Sequence, residues 1–264
     1  MKKTLAVLLI AMACMAGVAA QAQEKDSDSG QKNAQQARAV LDAMVQALGG
    51  QAWLDQKNVM QAGSIAAFFQ GQPNLGTVKV WQFHSWPDHD RIEFTAHRDV
   101  LQFFVGRTGW EVTYRGKKPL PQDQVDEFLR RRDHSIEVAA KVWMKDPKTI
   151  LIYEGKRLAA RHLADQVTLI AADNEAITIM TDSQTHLPLS RSFQWRDPVY
   201  KDKNTDTEEY ADYHVIDGFP TPFNVTRSRN GEMVRQFYVT GVEFNRELPA
   251  DFWDVDAANV RIKK

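Results

Sequence analysis

Apolar and polar residues alternate with two different periods along this chain, and the switches between them mark its elements. Ala37, Val40, Leu41, Met44 and Leu48 recur at helical spacing, so they share one face of a helix. Asn33 is placed to cap its start, and Gly49-Gly50 to end it. From 59 to 115 the runs become short, branched and aromatic: VMQAGSIAAFFQ, LGTVKVWQFHSW, DRIEFTA, VLQFFVG and GWEVTYRG. Gly, Pro and Asp separate them, as in an antiparallel meander. Between 120 and 146, Val125, Phe128, Leu129, Ile136, Ala139, Ala140 and Trp143 return to helical spacing, interrupted around Arg130–Ser135. This predicts two short helices or one kinked helix. From 148 to 245 eight more β-like runs follow, closing with YADYHVIDGFPTPFNVTRSRNG and MVRQFYVTGVEF. No repeat of fixed length and no βαβ alternation is present. The pattern predicts an α+β fold: a large, strongly curved antiparallel β half-barrel with helices covering its concave side.

Several strands carry apolar groups on both parities, as at Phe68-Phe69 and Phe103-Phe104. A sheet with one wet face would alternate cleanly, so both faces are expected to be covered. Pro220 and Pro222 suit a strand start or edge, because neither donates a ladder hydrogen bond. Asp217-Gly218 and Asn230-Gly231 suit tight hairpins.

Residues 1–22 read as a cleaved secretory signal: Lys2 and Lys3, an apolar stretch from Leu5 to Ala16, and the small-x-small site Ala20-Gln21-Ala22. The expectation is a periplasmic protein, cleaved after Ala22. Lipidation at Cys14, the only cysteine, is the alternative processing. Residues 23–33 contain no apolar residue and are expected to form a disordered polar leader, and 34–264 a single domain.

Of 264 residues, 43% are hydrophobic and 25% charged, which suits a globular domain. The net charge of −1 argues against nucleic acid as a partner. No G-x-S-x-G, phosphate loop or dinucleotide fingerprint occurs, and Glu208-Glu209 would point to opposite faces of a strand. No catalytic residue, metal or other cofactor is expected. The rival reading is a metal site at His84 and His89 with nearby Asp, although their spacing matches no helical ligand pair. Arg130-Arg131-Arg132 reads as a solvated helix face whose stems cover apolar surface, with an anion or lipid-headgroup patch as the functional alternative.

A curved sheet with an aromatic inner face is a container for an apolar ligand. The candidate lining residues are Phe69, Trp81, Phe83, Phe94, Phe103, Trp110, Phe193, Trp195 and Tyr213 on strands, and Trp143 in the helical insert.

The order of several local motifs resembles the LolA-like periplasmic lipoprotein carriers, in particular the divergent branch of outer-membrane lipoprotein-sorting proteins. The matching pieces are Ala47-Leu48-Gly49-Gly50, the strand from Val59 to Phe69, WPDHDRIEF (86–94), GRTGWEV (106–112), YEGKRLAARHL (153–163) and TDSQTHLPL (181–189). The Asp-Gly-x-x-x-Pro corner at Asp217 and VEFNRELPADFWD (242–254) complete the set, which covers about 40–260. The resemblance implies an apolar cavity holding the acyl chains of lipids or lipoproteins for transfer towards the outer membrane. It implies inner- and outer-membrane proteins as partners of a monomeric carrier. A non-catalytic sensor or interaction module that docks a membrane protein is the alternative it allows. The chain departs from the carriers in its polar leader and its longer 120–146 insert. Arg91 matches the branch's arginine, but no residue matches the carriers' cavity arginine.

Overall fold

The computed structural model describes residues 29–258 apart from 75 and 160. The expected signal segment, Cys14 and residues 23–28 lie outside the described residues.

Helix α1 spans 29–48, and a short helix α2 (Gly50–Leu54) follows directly. Residues 29–33, expected to be disordered, are helical. Asn33 does not cap the helix. Its side-chain amide donates to the Tyr153 carbonyl and accepts from the Tyr153 N–H, both at 2.8 Å. Such a pair satisfies two backbone groups of an edge strand, and apolar periodicity carries no sign of it.

Next come β1 (Asn58–Phe69), the two-residue β2 (Gln72–Pro73), β3 (Val78–Ser85), β4 (His89–Phe94), β5 (Val100–Val105), β6 (Thr108–Thr113) and β7 (Gly116–Pro119). Helices α3 (Gln122–Asp133) and α4 (Ile136–Lys141) and a 3-10 turn (Trp143–Lys145) form the insert. The chain ends in β8 (Ile150–Ala159), β9 (His162–Ile170), β10 (Ala176–Asp182), β11 (Pro188–Arg196), β12 (Lys203–Ile216), β13 (Phe219–Arg229) and β14 (Glu232–Phe244).

Among the described residues these strands make one antiparallel, curved and unclosed sheet, ordered β7-β6-β5-β4-β3-β1-β14-β13-β12-β11-β10-β9-β8, with β2 paired to β1. The chain starts mid-sheet, walks by hairpins to one edge, crosses to the other and walks back until β14 meets β1. Because β7 and β8 are opposite edges, residues 120–149 must cross the sheet. They do so over its concave face, which makes the fold an α+β half-barrel with helices inside.

Two apolar cores lie under these helices. One joins Leu41, Met44 and Leu48 of α1 and Ala139 and Ala140 of α4 to Val167, Leu169, Ile177 and Ile179 of the sheet. Leu41, Met44, Leu169 and Ile177 are fully buried, worth roughly 1.5–3 kcal/mol each. The other joins Val125 and Leu129 of α3 to Val80, Ile92, Phe104 and Phe237. In it the Phe104 and Phe128 rings stack at 3.6 Å.

The outer face of β3–β6 is covered by the C-terminal segment. Phe252 meets Phe83 edge-on at 4.9 Å, and Val255 and Ala258 pack against Leu101, Phe103 and Val112. This double cover explains the adjacent Phe103 and Phe104, whereas Phe69, also expected to be covered, is exposed. Arg91 belongs here: it lies 4.3 Å from the Phe252 ring, donates to the Phe252 carbonyl and pairs with buried Glu93.

Asp217-Gly218 and Asn230-Gly231 have positive φ at both residues, as their tight hairpins require. Pro220 and Pro222 pair only with β12, because the β13–β14 ladder begins at Asn224.

The seam between β1 and β14 is irregular at Ala62/Gly63. A Cβ on Gly63 would overlap the Tyr238 carbonyl oxygen and lie 2.7 Å from the Phe237 ring. Gly63→Ala is therefore expected to lower the unfolding free energy by about 2 kcal/mol in urea titrations, since overpacking costs roughly 1–3 kcal/mol. An unchanged midpoint would show that the seam can relax.

Candidate functional site

Between the helices and the sheet lie two adjacent spaces that share lining residues. The outer part, about 290 Å³, is bordered by Leu48, Trp53, Ile136, Tyr213, Phe219 and Phe244, with Pro188, Pro220 and Pro222. The inner part, about 320 Å³, runs under α3 and is bordered by Gln82, Ile92, Phe128, Val225 and Phe237. Gln61, His84, Ser135, Glu137, Arg191, Glu208, Tyr210 and Pro222 border both.

The inner part is far from purely apolar. Arg131, Arg132, Arg191, Arg227 and Arg235 line it, against three carboxylates, Asp90, Glu137 and Glu208. Strand alternation puts them there. Arg235 shares the inward parity of Phe237 and Val239, Arg227 that of Val225, and Arg191 that of Phe193.

Several of these groups also fasten the insert to the sheet. Arg191 is buried, and both its Nε and Nη2 donate to Glu208, at 3.0 and 2.8 Å. Its Nη1 donates to the Arg131 carbonyl at 3.1 Å and to the His134 carbonyl, at the end of α3. A cation there answers both the unpaired carbonyls and the negative end of the helix dipole. Burial works against the Arg191 charge, but Glu208 and Tyr210 outweigh it and hold the guanidinium above its ordinary range. Burial likewise opposes the Glu208 charge, and Arg191 and Arg227 hold that carboxyl low. Glu127 of α3 sits 2.6 Å from Arg131 and 3.0 Å from Arg227. Ser135 breaks the helix and caps α4, its hydroxyl accepting from the Val138 N–H at 3.1 Å.

The three consecutive arginines of α3 are not a solvated face. Arg130 lies 3.9 Å over the Trp195 ring, Arg131 points into the cavity, and Arg132 donates to the Asp88 and Gly106 carbonyls and pairs with Asp90. Each stem lies along a different surface because neighbours on a helix diverge by about 100°.

His84 faces Asp90 across the β3–β4 ladder, Nδ1 to Oδ1 at 2.8 Å, and its Nε2 lies 3.1 Å from Glu137 of α4. Burial lowers its pKa, but hydrogen bonds and charge from the two carboxylates overcome this and push it to about 9. His89 pairs instead with Asp88, at 3.0 Å. Among the described residues, no group of three or more His, Cys, Asp or Glu is placed to hold a metal ion.

The ten aromatic candidates scatter. Tyr213 lines the main cavity, its hydroxyl donating to the Pro188 carbonyl at 2.7 Å, and Phe83 borders a small adjoining space of about 70 Å³. Phe94 packs in the core under α3. Phe103 and Trp110 lie in the outer cluster under the C-terminal segment, and Trp81 stacks under Arg98. Phe193 stacks on His134 at 4.4 Å, Trp143 meets the same ring edge-on, and Trp195 lies under Arg130. Phe69, at the tip of β1, is 66% exposed. The apolar-lining picture also missed the arginines. The available signal was a charge occupying the inward parity of an otherwise apolar strand.

No protein-family model matches the chain, and neither does any curated protein sequence. Solved structures share its fold. A DUF1329 family protein from Desulfovibrio piger aligns with a TM-score of 0.60 at 11% identity, over 85% of this chain and 98% of that one. A putative outer membrane lipoprotein-sorting protein domain from Vibrio parahaemolyticus gives 0.55 at 10%, over 85% and 98%. A LolA superfamily protein from Nitrosomonas europaea gives 0.51 at 13%, over 82% and 96%. The chain thus has the LolA-like fold.

Two outcomes follow from the ties. Arg191→Met strands buried Glu208 and two helix-end carbonyls, and should cost about 3–5 kcal/mol in denaturant titration. A loss under about 1 kcal/mol would show that Arg191 does not fasten the insert. His84 gains affinity for its proton on folding. Its contribution, on the order of 3 kcal/mol, should be complete below pH 6.5 and vanish as pH rises through about 9. Thermal melts from pH 6 to 10 should show this decline in the native chain, and a flatter profile in His84→Asn.

Proposed function

We propose that this protein is a non-catalytic periplasmic carrier that shelters acyl chains of a lipid or lipoprotein between the sheet and the α3–α4 insert, for transfer towards the outer membrane. One observation carries this reading: the insert crosses the concave face but does not fill it. Each space is near the lower end of the roughly 300–1,000 Å³ typical of ligand sites, and the two share eight lining residues. An enclosed chain stays out of water at roughly 0.8 kcal/mol per buried CH₂. The fold shared with a protein described as a putative outer membrane lipoprotein-sorting domain supports the same reading. So does the signal-like segment 1–22, which would deliver the chain to the periplasm.

A second reading, a sensor or interaction module that docks a membrane protein, is favoured by the β8–β9 hairpin. Leu158 and Leu163 stand exposed there on the last hairpin of the sheet.

Gln61 borders both parts of the cavity and the adjoining space. Gln61→Trp should fill it, reducing uptake of a fluorescent fatty acid by about tenfold or more while the fold persists, since free volume is available for the ring. Equal uptake by a folded Gln61→Trp protein would place the acyl site elsewhere. No uptake by the native protein would favour the docking reading.

A further inference from the structure

Arg227 and Arg235 stand directly opposite each other on β13 and β14. Like charges at facing positions destabilise a sheet. Arg227 offsets this through Glu127. Arg235 has no ion pair, hydrogen bond or ring partner among the described residues, yet its side chain borders the inner cavity. Two buried donors among the lining residues, Arg227 Nε and Gln82 Nε2, have no acceptor. Burial and the Arg227 charge hold the Arg235 guanidinium down at about 10, the mark of a cation in an unfavourable place. A fold gains nothing from such an arrangement when empty, because buried polar groups without partners cost stability.

Resting on the carrier reading, we infer that the inner cavity is an oxyanion subsite: Arg235, with Arg227 and Gln82, receives the carboxylate or phosphate head of an acyl-bearing ligand. The chain of that ligand then runs past Gln61 and Tyr210 into the outer part, between Ile136, Phe219 and Phe244. An oxyanion supplies the acceptor that the Arg235 guanidinium lacks and offsets the facing charges of Arg227 and Arg235; Arg227 Nε and Gln82 Nε2, closed to solvent here, reach it by side-chain rotation. Arg131 adds a third cation at the same wall, balanced by Glu127.

The test compares four probes by calorimetry on the native protein: a long-chain fatty acid, a phospholipid with a phosphate head, the fatty alcohol of the same chain length, and inorganic phosphate. At least one anionic amphiphile should bind about tenfold or more tightly than the alcohol, because charge-assisted hydrogen bonds are the strong ones. Which anionic probe wins identifies the head. Arg235→Gln should abolish that preference, bringing acid and alcohol to similar affinity, and raise the melting temperature of the empty protein. Equal binding of alcohol and acid, or an anionic preference that survives Arg235→Gln, overturns the subsite and leaves the carrier reading standing. Inorganic phosphate binding as tightly as the amphiphiles overturns it as a simple anion site. Failure of every acyl probe overturns both. The comparison of acid with alcohol needs no variant, so it decides the matter even if Arg235→Gln misfolds.

Discussion

The guanidinium of Arg191 joins the part of the chain that crosses the barrel to the part that forms its floor. It reaches from β11 to Glu208 on β12 and to the carbonyls of Arg131 and His134 where α3 stops. A helix end buried over a sheet needs partners for its carbonyls. One buried cation with five donors can serve a carboxylate and a helix end together. The break at Ser135, the start of α4 and the height of the insert above the sheet all follow from where that end is pinned.

Topology sets the problem that Arg191 answers. Both sheet halves are built from hairpins, so the only long connection must span from one edge to the other. Helix α3 finds an apolar patch that runs from β5 to the central strand β14, and α4 finds one on β9 and β10 near the other edge. Under the break the floor is polar: His84, Asp90, Arg191, Glu208, Arg227 and Arg235. Polar ties hold the insert at a distance that apolar packing would have closed. The charged centre keeps the insert off the sheet, and the proposed anionic preference rests on the same charges.

Much of the fold was legible in the sequence. Helical spacing placed Ala37, Leu41, Met44 and Leu48 inward, and the break near Arg130–Ser135 correctly divided the insert. Apolar residues on both parities correctly required two covers, but not that the outer one would be Phe252, Val255 and Ala258. The helical residues 29–33 were not legible, because apolar periodicity carries no sign of the pairing of the Asn33 amide with an edge strand. The site was the least legible part. Hydrophobicity points to aromatics such as Phe103 and Trp110, which serve ordinary packing outside the barrel. The inward phase of β13 and β14 is where Arg227 and Arg235 announce themselves, but only once the register is known, since one residue of slip reverses every face. The run Arg130-Arg131-Arg132 misled for a related reason: adjacency in sequence is divergence on a helix.

The central claim is that the space under the insert is made for an acyl-bearing ligand. Native mass spectrometry of the protein, released gently from its own cell envelope, tests it most directly. The account predicts a bound species that dissociates on collision as an acyl-bearing anion. A single ligand-free mass, unchanged after incubation with a lipid extract of the same envelope, would contradict it.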